Sequence, residues 1–487
     1  MTRSISTKIA RPAALGAALL VSGCASLPTL APAPTVAPPA SYASIRSLAA
    51  APTAAWPQDT WWQAYGDRQL DTLIAEALTG SPDLAAARAR VLQADGYAQQ
   101  AGAARLPTLD VAGNAGLTKQ SYNNGIPADF VPRGWNDTGR VEGQLGFDLD
   151  LWGRNRAGYA AARSDADAAR LDLAQARLTL STNVASAYAD LAGLFAARAV
   201  QVNALEVRQQ TERLTADRVT AGLDTQAELK QARSAVPAGR AELAATDEQI
   251  ALTRNRIAAL LGAGPDRGLS LTAPRAAIAR RPLPATVTTD LIAGRPDIVA
   301  ARTRVEAEAS RVKVARADFY PSIRLSAVLG FQSFGLDNLF KGGSTAGAVG
   351  PAINLPIFRG GALQGRYRVA RGGYDAAVAD YDRTVTDAYR AVADAVVSQR
   401  ALDTRLAQSR EALNDAQGAY DVARLRYEGG LSRFLDVLTA QDRVLQARRI
   451  VADLEARAFT IDIALVRALG GGFAAPAGQS NEDPTHG

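Results

Sequence analysis

Residues 80–116 lie over residues 294–330 without a gap, and twelve of the 37 positions are then identical. The shared residues include Pro82/Pro296, Asp83/Asp297, Arg88/Arg302, Val91/Val305 and Pro107/Pro321, all at a shift of 214. Further along, Arg218, Gly222 and Leu223 recur as Arg426, Gly430 and Leu431, and Leu261-Gly262 recurs as Leu469-Gly470, at a shift of 208. Alanine richness raises chance identity, but it does not bring proline, glycine and aspartate into register. A chain built this way folds as two structural halves on one plan, not as a catalytic domain beside a regulatory one.

Each half has the same order of signals. A Pro-Asp pair (Pro82-Asp83, Pro296-Asp297) opens a helical stretch that runs to a second proline (Pro107, Pro321). Alternation follows: from Val141 to Leu151 the odd positions are apolar or Gly and the even ones polar or Gly. Ile323, Leu325, Ala327, Leu329 and Phe331 repeat that period of two. Two strands per half are expected, about 107–120 with 139–151 and about 321–334 with 345–357. No proline then occurs between Pro132 and Pro237 or between Pro356 and Pro476, so very long helices should fill those tracts. About 65 residues at ~1.5 Å rise make a helix on the order of 100 Å long. Val184, Tyr188, Leu191, Phe195, Val202 and Leu205 follow a heptad-like spacing that misses a beat at Arg198, which suits coiled-coil packing. Gly222 and Gly430 are placed to reverse the chain in tight turns.

Composition removes most chemistry. Cys24 is the only cysteine and His486 the only histidine, so no disulfide framework, Cys/His metal site or Ser/His/Asp triad can be assembled in one chain. No catalytic residue, metal ligand or cofactor loop is found; the chain is expected not to be an enzyme. The formal charge is +6, but the arginines alternate with Asp and Glu along helical faces, which argues against nucleic acid as a partner.

Arg3, Lys8 and Arg11 precede a short apolar stretch from Pro12 to Val21, the pattern of a secretory signal peptide. Val21-Ser22-Gly23-Cys24 resembles the lipobox of bacterial lipoproteins, which implies an S-diacylglycerol and an N-acyl group on Cys24, with Ala25 permitting export to the outer membrane. Residues 28–57, rich in Pro, Ala, Ser and Thr, then read as an extended tether.

Aromatic residues gather where the strands are expected. The windows 106–152 and 319–358 hold 11 of the 29 aromatics, more than twice the density elsewhere. These are Tyr122, Phe130, Trp135, Phe147 and Trp152, then Phe319, Tyr320, Phe331, Phe334, Phe340 and Phe358. Lipid-facing girdles of a membrane β-barrel would show this enrichment; a soluble β-sandwich with inward aromatics is the other reading. Four strands cannot enclose a lumen, so a barrel would have to be closed by oligomerisation.

Taken in order and duplicated, Gly294-Arg-Pro-Asp-Ile298, Ala317-Asp-Phe-Tyr-Pro321, Phe147-Asp-Leu-Asp-Leu-Trp-Gly-Arg154 and Arg426-Tyr-Glu-Gly-Gly-Leu431 resemble the TolC-type outer-membrane factor family, in its NodT-like lipoprotein branch. The resemblance runs from Trp61-Trp62 to Gly471. It implies a mainly α protein with membrane β structure: a homotrimer whose protomers give four strands each to a twelve-stranded outer-membrane barrel, continued by a periplasmic helical barrel with an equatorial collar. It further implies that the turns at Gly222-Leu223 and Gly430-Leu431 meet a periplasmic membrane-fusion adaptor coupled to an inner-membrane RND-type pump. Leu435 and Asp436 match positions that constrict the channel, whereas Thr439 departs from a second acidic position seen in many relatives. The domain plan is a signal peptide (1–23), a lipid-anchored tether (24–57), a first repeat (58–265), an inter-repeat segment (266–284), a second repeat (285–472) and a tail (473–487). The function implied is passive export of small molecules, drugs among them, through the duct of a tripartite pump. A duct for one-step protein secretion is the alternative within transport, and a lipid-anchored periplasmic scaffold the alternative outside it.

Overall fold

The computed structural model describes residues 27–43, 59–275 and 294–473. The signal peptide and Cys24 fall outside the described residues, as do part of the inter-repeat segment and nearly all of the tail.

Eight helices and four strands carry the described chain, apart from short single turns. In order they are α1 (Arg68–Gly80), α2 (Pro82–Ala103), β1 (Thr108–Thr118), β2 (Asn136–Asp148), α3 (Arg154–Thr220), α4 (Gln226–Leu260) and α5 (Asp266–Leu269). Then come α6 (Pro296–Ala317), β3 (Ser322–Phe334), β4 (Thr345–Asn354), α7 (Ala362–Glu428) and α8 (Phe434–Ala468). The duplication is kept to the residue in the helices: α2 and α6 have 22 residues each, α3 and α7 have 67, and α4 and α8 have 35. The change of shift from 214 to 208 is therefore absorbed between the helices, where the β1–β2 connection is longer than the β3–β4 connection.

Two compact units emerge, and each draws on both repeats. One comprises Val91–Ala169 and Ala301–Tyr381 with the described residues up to Val36; the other holds the remainder.

In the first unit the strands form one antiparallel sheet in the order β1-β2-β3-β4. Leu109 lies opposite Leu145, Val141 opposite Phe331, and Ile323 opposite Ile353, so the apolar positions of neighbouring strands share a face. Leu109, Val111, Leu145, Leu329, Val349 and Ile353 are exposed on it. The other face is polar: Glu142 is buried there, paired with Arg140 and accepting from Gln144 Nε2 at 2.7 Å. A β-sandwich would cover the apolar face with a second sheet, and the described strands make only this one. Exposed apolar residues on one face and polar ones on the other are the pattern of a barrel strand between lipid and a watery lumen. Most of the aromatics noted above are exposed accordingly, among them Phe130, Trp135 and Phe358. Phe319 departs from the expected girdle: it is buried, with its ring edge-on to Tyr367.

The motif residues turn out to be joints. Asp150, at φ 45°, accepts from the backbone N–H groups of Asn155 and Arg156 at 2.8 and 2.9 Å, capping α3. Trp152 stacks on Tyr320 at 4.7 Å and donates to the Pro321 carbonyl, while Arg154 pairs with Asp318 at 2.8 Å. The two strand–helix junctions are thereby clamped together.

In the second unit the core is built from Trp61, Tyr65, Leu70, Ile74, Tyr188 and Phe459. Asp67 caps α1 by accepting from the Gln69 N–H and also accepts from the Tyr188 hydroxyl at 2.6 Å, so its buried carboxylate is satisfied. Arg295 reaches the Ala468 carbonyl at 2.8 Å, which fixes the Gly-Arg-Pro-Asp turn against the end of α8.

One expectation about the long helices needs correction. The heptad stripe is buried through Leu191, but Val202 is 42% exposed. Beyond Arg198, which pairs with Asp247 of α4, the buried positions are Ala204, Thr211 and Thr215. Both threonines donate to carbonyls four residues back, so a seam with few large apolar residues is tolerated there. The returning helix α4 runs on through Pro237.

Candidate functional site

Both long helical hairpins turn on the same frame. After α3, Gly222 takes φ 73°; its N–H meets the Val219 carbonyl at 3.0 Å, and the Leu223 N–H meets the Arg218 carbonyl at 2.8 Å. After α7, Gly430 takes φ 75°, with Gly430 N–H to Tyr427 O at 3.0 Å and Leu431 N–H to Arg426 O at 2.7 Å. These are paired Schellman caps. An added Cβ at Gly222 or Gly430 would meet nothing within 4 Å, so the left-handed backbone, not crowding, calls for glycine. Leu223 and Leu431 follow, 65% and 72% exposed. The two predicted adaptor-contact turns thus each present a glycine-leucine knuckle to the outside.

Two neighbouring side chains of the second turn were expected to constrict a channel. Leu435 is 61% exposed and Asp436 is also exposed, while Phe434 and Val437 point into the core between them. Asp436 has a local task as well: its carboxylate accepts the Arg433 N–H at 3.1 Å, half of a capping box at the start of α8. Thr439 spends its hydroxyl on the Leu435 carbonyl at 2.8 Å and adds no charge. An open groove of about 740 Å³ runs beside the knuckle, lined by Ala419, Val422, Arg426, Leu431, Arg433 and Asp436 among others.

The structure adds a polar lock that the repeat pattern did not reveal. Asp224, next after Leu223, accepts from Arg218 Nε at 3.0 Å and Nη2 at 3.3 Å, and from the Tyr427 hydroxyl. Tyr427 is 1% exposed; its ring carries the Arg218 guanidinium at 4.3 Å and packs near Phe434 at 5.7 Å. One side chain of the second hairpin is therefore tied to the turn of the first. Burial, and then the bond to Asp224, push the Tyr427 hydroxyl up to about 12, so it stays a donor across the physiological range. The Arg218 guanidinium is raised, chiefly by its bond to Asp224. The missed signal lay where the repeats disagree. A shift of 208 sets Asp224 against Ser432, and Tyr427 against Val219.

The chain matches the sequence profile described as "Outer membrane efflux protein" twice, over residues 73–263 and 287–471. It is 37% identical over 374 residues to the fusaric acid resistance protein FusA of Burkholderia cepacia, covering 74% of this chain and 69% of that one. With the multidrug resistance outer membrane protein MdtP of Escherichia coli (strain K12) it shares 30% identity over 472 residues, 95% of this chain and 96% of that one. The crystal structure of the outer membrane protein VceC from Vibrio cholerae superposes with a TM-score of 0.82 at 43% identity, covering 86% of this chain and 100% of that one.

Proposed function

Because the chain belongs to the outer membrane efflux protein family, we propose that it is the exit duct of a tripartite pump and works as a homotrimer. The observation that carries this reading is the four-stranded sheet, with apolar residues exposed on one face, polar residues on the other, and β1 and β4 at its edges. In hydrocarbon an unpaired strand edge leaves N–H and C=O groups without partners, at several kcal/mol for each group. Edge-to-edge closure by copies of the same chain removes that cost. Three copies supply twelve strands, enough to surround a lumen where four are not.

In this reading the chain conducts passively. Its cargo is small molecules, drugs among them, as FusA is named for fusaric acid resistance and MdtP for multidrug resistance, and the energy comes from an inner-membrane RND-type pump. The knuckles at Gly222-Leu223 and Gly430-Leu431 receive the periplasmic adaptor. Leu435 and Asp436 form the constriction, where threefold symmetry sets three carboxylates in one ring and favours cations. Adaptor contact shifts the turn around Gly430 toward an open state by binding that state better. Cys24 carries the acyl groups that hold the N-terminus at the outer membrane.

Planar-bilayer recording of the purified protein tests the duct. Cation-selective conductance that loses its selectivity in Asp436→Asn is expected. A preparation that leaves the bilayer sealed would overturn the pore and favour a scaffold. A photo-cross-linker at Leu431 in cells should capture an adaptor that co-purifies with a proton-driven pump; capture of an ATP-driven exporter's adaptor in its place would move the reading to protein secretion.

A further inference from the structure

Residues 27–43 contain five prolines, at 28, 32, 34, 38 and 39, and form no helix or strand apart from one turn at Pro39–Ser41. They are nonetheless held. The Tyr374 hydroxyl donates to the Pro34 carbonyl at 3.2 Å, and the Tyr389 hydroxyl donates to the Pro39 carbonyl at 2.9 Å. The Tyr42 ring lies 5.9 Å from the Tyr389 ring. Both donors belong to α7, and both are half-buried.

The chemistry of such a segment explains why tyrosines hold it. Pro38 sits at φ −63° and ψ 140°, the polyproline II conformation. That backbone makes no internal hydrogen bonds, and each proline lacks an N–H, so what it offers a partner is carbonyl oxygens and flat ring surface. A tyrosine answers both needs, with an apolar ring to lie against and a hydroxyl to donate. Aromatic grooves that bind proline-rich peptides use the same principle. Partial burial, and secondarily the Asp382 carboxylate, push the Tyr42 hydroxyl up, as for a side chain packed onto the helix.

We propose that α7 carries a recognition stripe for a proline-rich segment, that its occupant is the chain's own residues 27–43, and that the acyl anchor at Cys24 is thereby strapped to α7. The last clause rests on the lipoprotein reading. Its consequence is geometric. A tether free as far as residue 57 would let the anchor roam ~110 Å from the folded body, whereas the ten residues from Cys24 to Pro34 reach at most ~35 Å. Tyr374 stands twelve residues into α7, ~18 Å along the helix from its first residue. The strapped stretch is therefore long enough to bring Cys24 back to the strand-proximal end of α7, and too short for it to wander far beyond. The anchor becomes a depth gauge.

Spin labelling of the full-length protein tests this. A nitroxide at Thr35→Cys is attached in two backgrounds: the natural chain, where acylation blocks Cys24, and Cys24→Ser, which lacks the acyl groups. A motionally restricted spectrum in both backgrounds is expected, with the mobile fraction rising at least several-fold in Tyr374→Phe/Tyr389→Phe. A fast spectrum with both tyrosines present overturns the proposal. So does a restricted spectrum that the double substitution leaves unchanged, or one that depends on acylation. Mass spectrometry of the N-terminal peptide reads lipidation separately: an unmodified Cys24 beside a restricted label would remove the depth gauge and leave the strap.

Discussion

Asp224 and Ser432 each follow a Gly-Leu pair, 208 residues apart, and they meet different fates. The Asp224 side chain is enclosed between Arg218 and Tyr427, whereas Ser432 makes a long 3.5 Å bond to the Ala423 carbonyl among the described residues. The next position diverges as well. Thr225 and Glu228 form a complete capping box at the start of α4, with Glu228 accepting the Thr225 N–H at 2.6 Å. Arg433 and Asp436 close only half of one at the start of α8. The first turn is thus fastened by charge and by its cap. The second is fastened through Tyr427 and Phe434 above the turn, while Leu431, Leu435 and Asp436 stay exposed. A duplicated element has been split into a fixed post and a latch resting against it, and the latch carries the residues assigned to the constriction.

The comparison breaks most visibly at Asp224. Asp224→Ala leaves the half-buried Arg218 guanidinium and the buried Tyr427 hydroxyl without their shared acceptor and is expected to destabilise the hairpin ends by about 2–3 kcal/mol. Ser432→Ala should change stability by less than about 0.5 kcal/mol. Hydrogen exchange at the two turns would compare them directly, and equal effects would mean that the post and the latch are not distinct.

Tyr427→Phe, which removes only the hydroxyl, should cost about 1–2 kcal/mol. It also tests the pH response. A tyrosine raised from 10 to about 12 on folding contributes stability that is present below pH 10 and is lost as pH climbs toward 12. Thermal melts should therefore fall across that window, and less steeply in Tyr427→Phe. Some slope should remain, since burial and its bond to Asp67 raise Tyr188 as well.

Smaller effects attend the caps. Thr225→Ala should cost about 1 kcal/mol, whereas Arg433→Thr completes a box with Asp436 and should stabilise the second turn by a comparable amount. Differential melts of the two variants would show opposite signs. Leu223→Ala and Leu431→Ala come last for stability, each within about 0.5 kcal/mol, because both side chains are already exposed. Their readout is partner capture in cells, which Leu431→Ala should reduce without moving the melting curve.

The helices and strands were legible because backbone chemistry announces them: Pro-Asp at the starts of α2 and α6, alternation through Val141–Leu151, and glycines where φ turns positive. The exposed knuckles followed from the same glycines. Side-chain meetings across long separations did not show. Asp224 and Tyr427 stand 203 residues apart, and no periodicity links them. The polar seam through Thr211 and Thr215 was invisible to a reading that counts only apolar residues as buried. The contacts of the extended tether did not show for a related reason: the hydroxyls that hold residues 27–43 belong to another element, more than 300 residues away.

The matched helix lengths, 67 with 67 and 35 with 35, have a consequence for how such a gene can change. One residue inserted in α3 alone would advance its turn by ~1.5 Å and rotate it by ~100°, carrying Asp224 away from Tyr427. Insertions are therefore tolerable only as compensated changes, matched in the two halves. Each repeat serves as the ruler against which the other is cut, and descendants of the duplication are free to drift in composition long before they are free to drift in length.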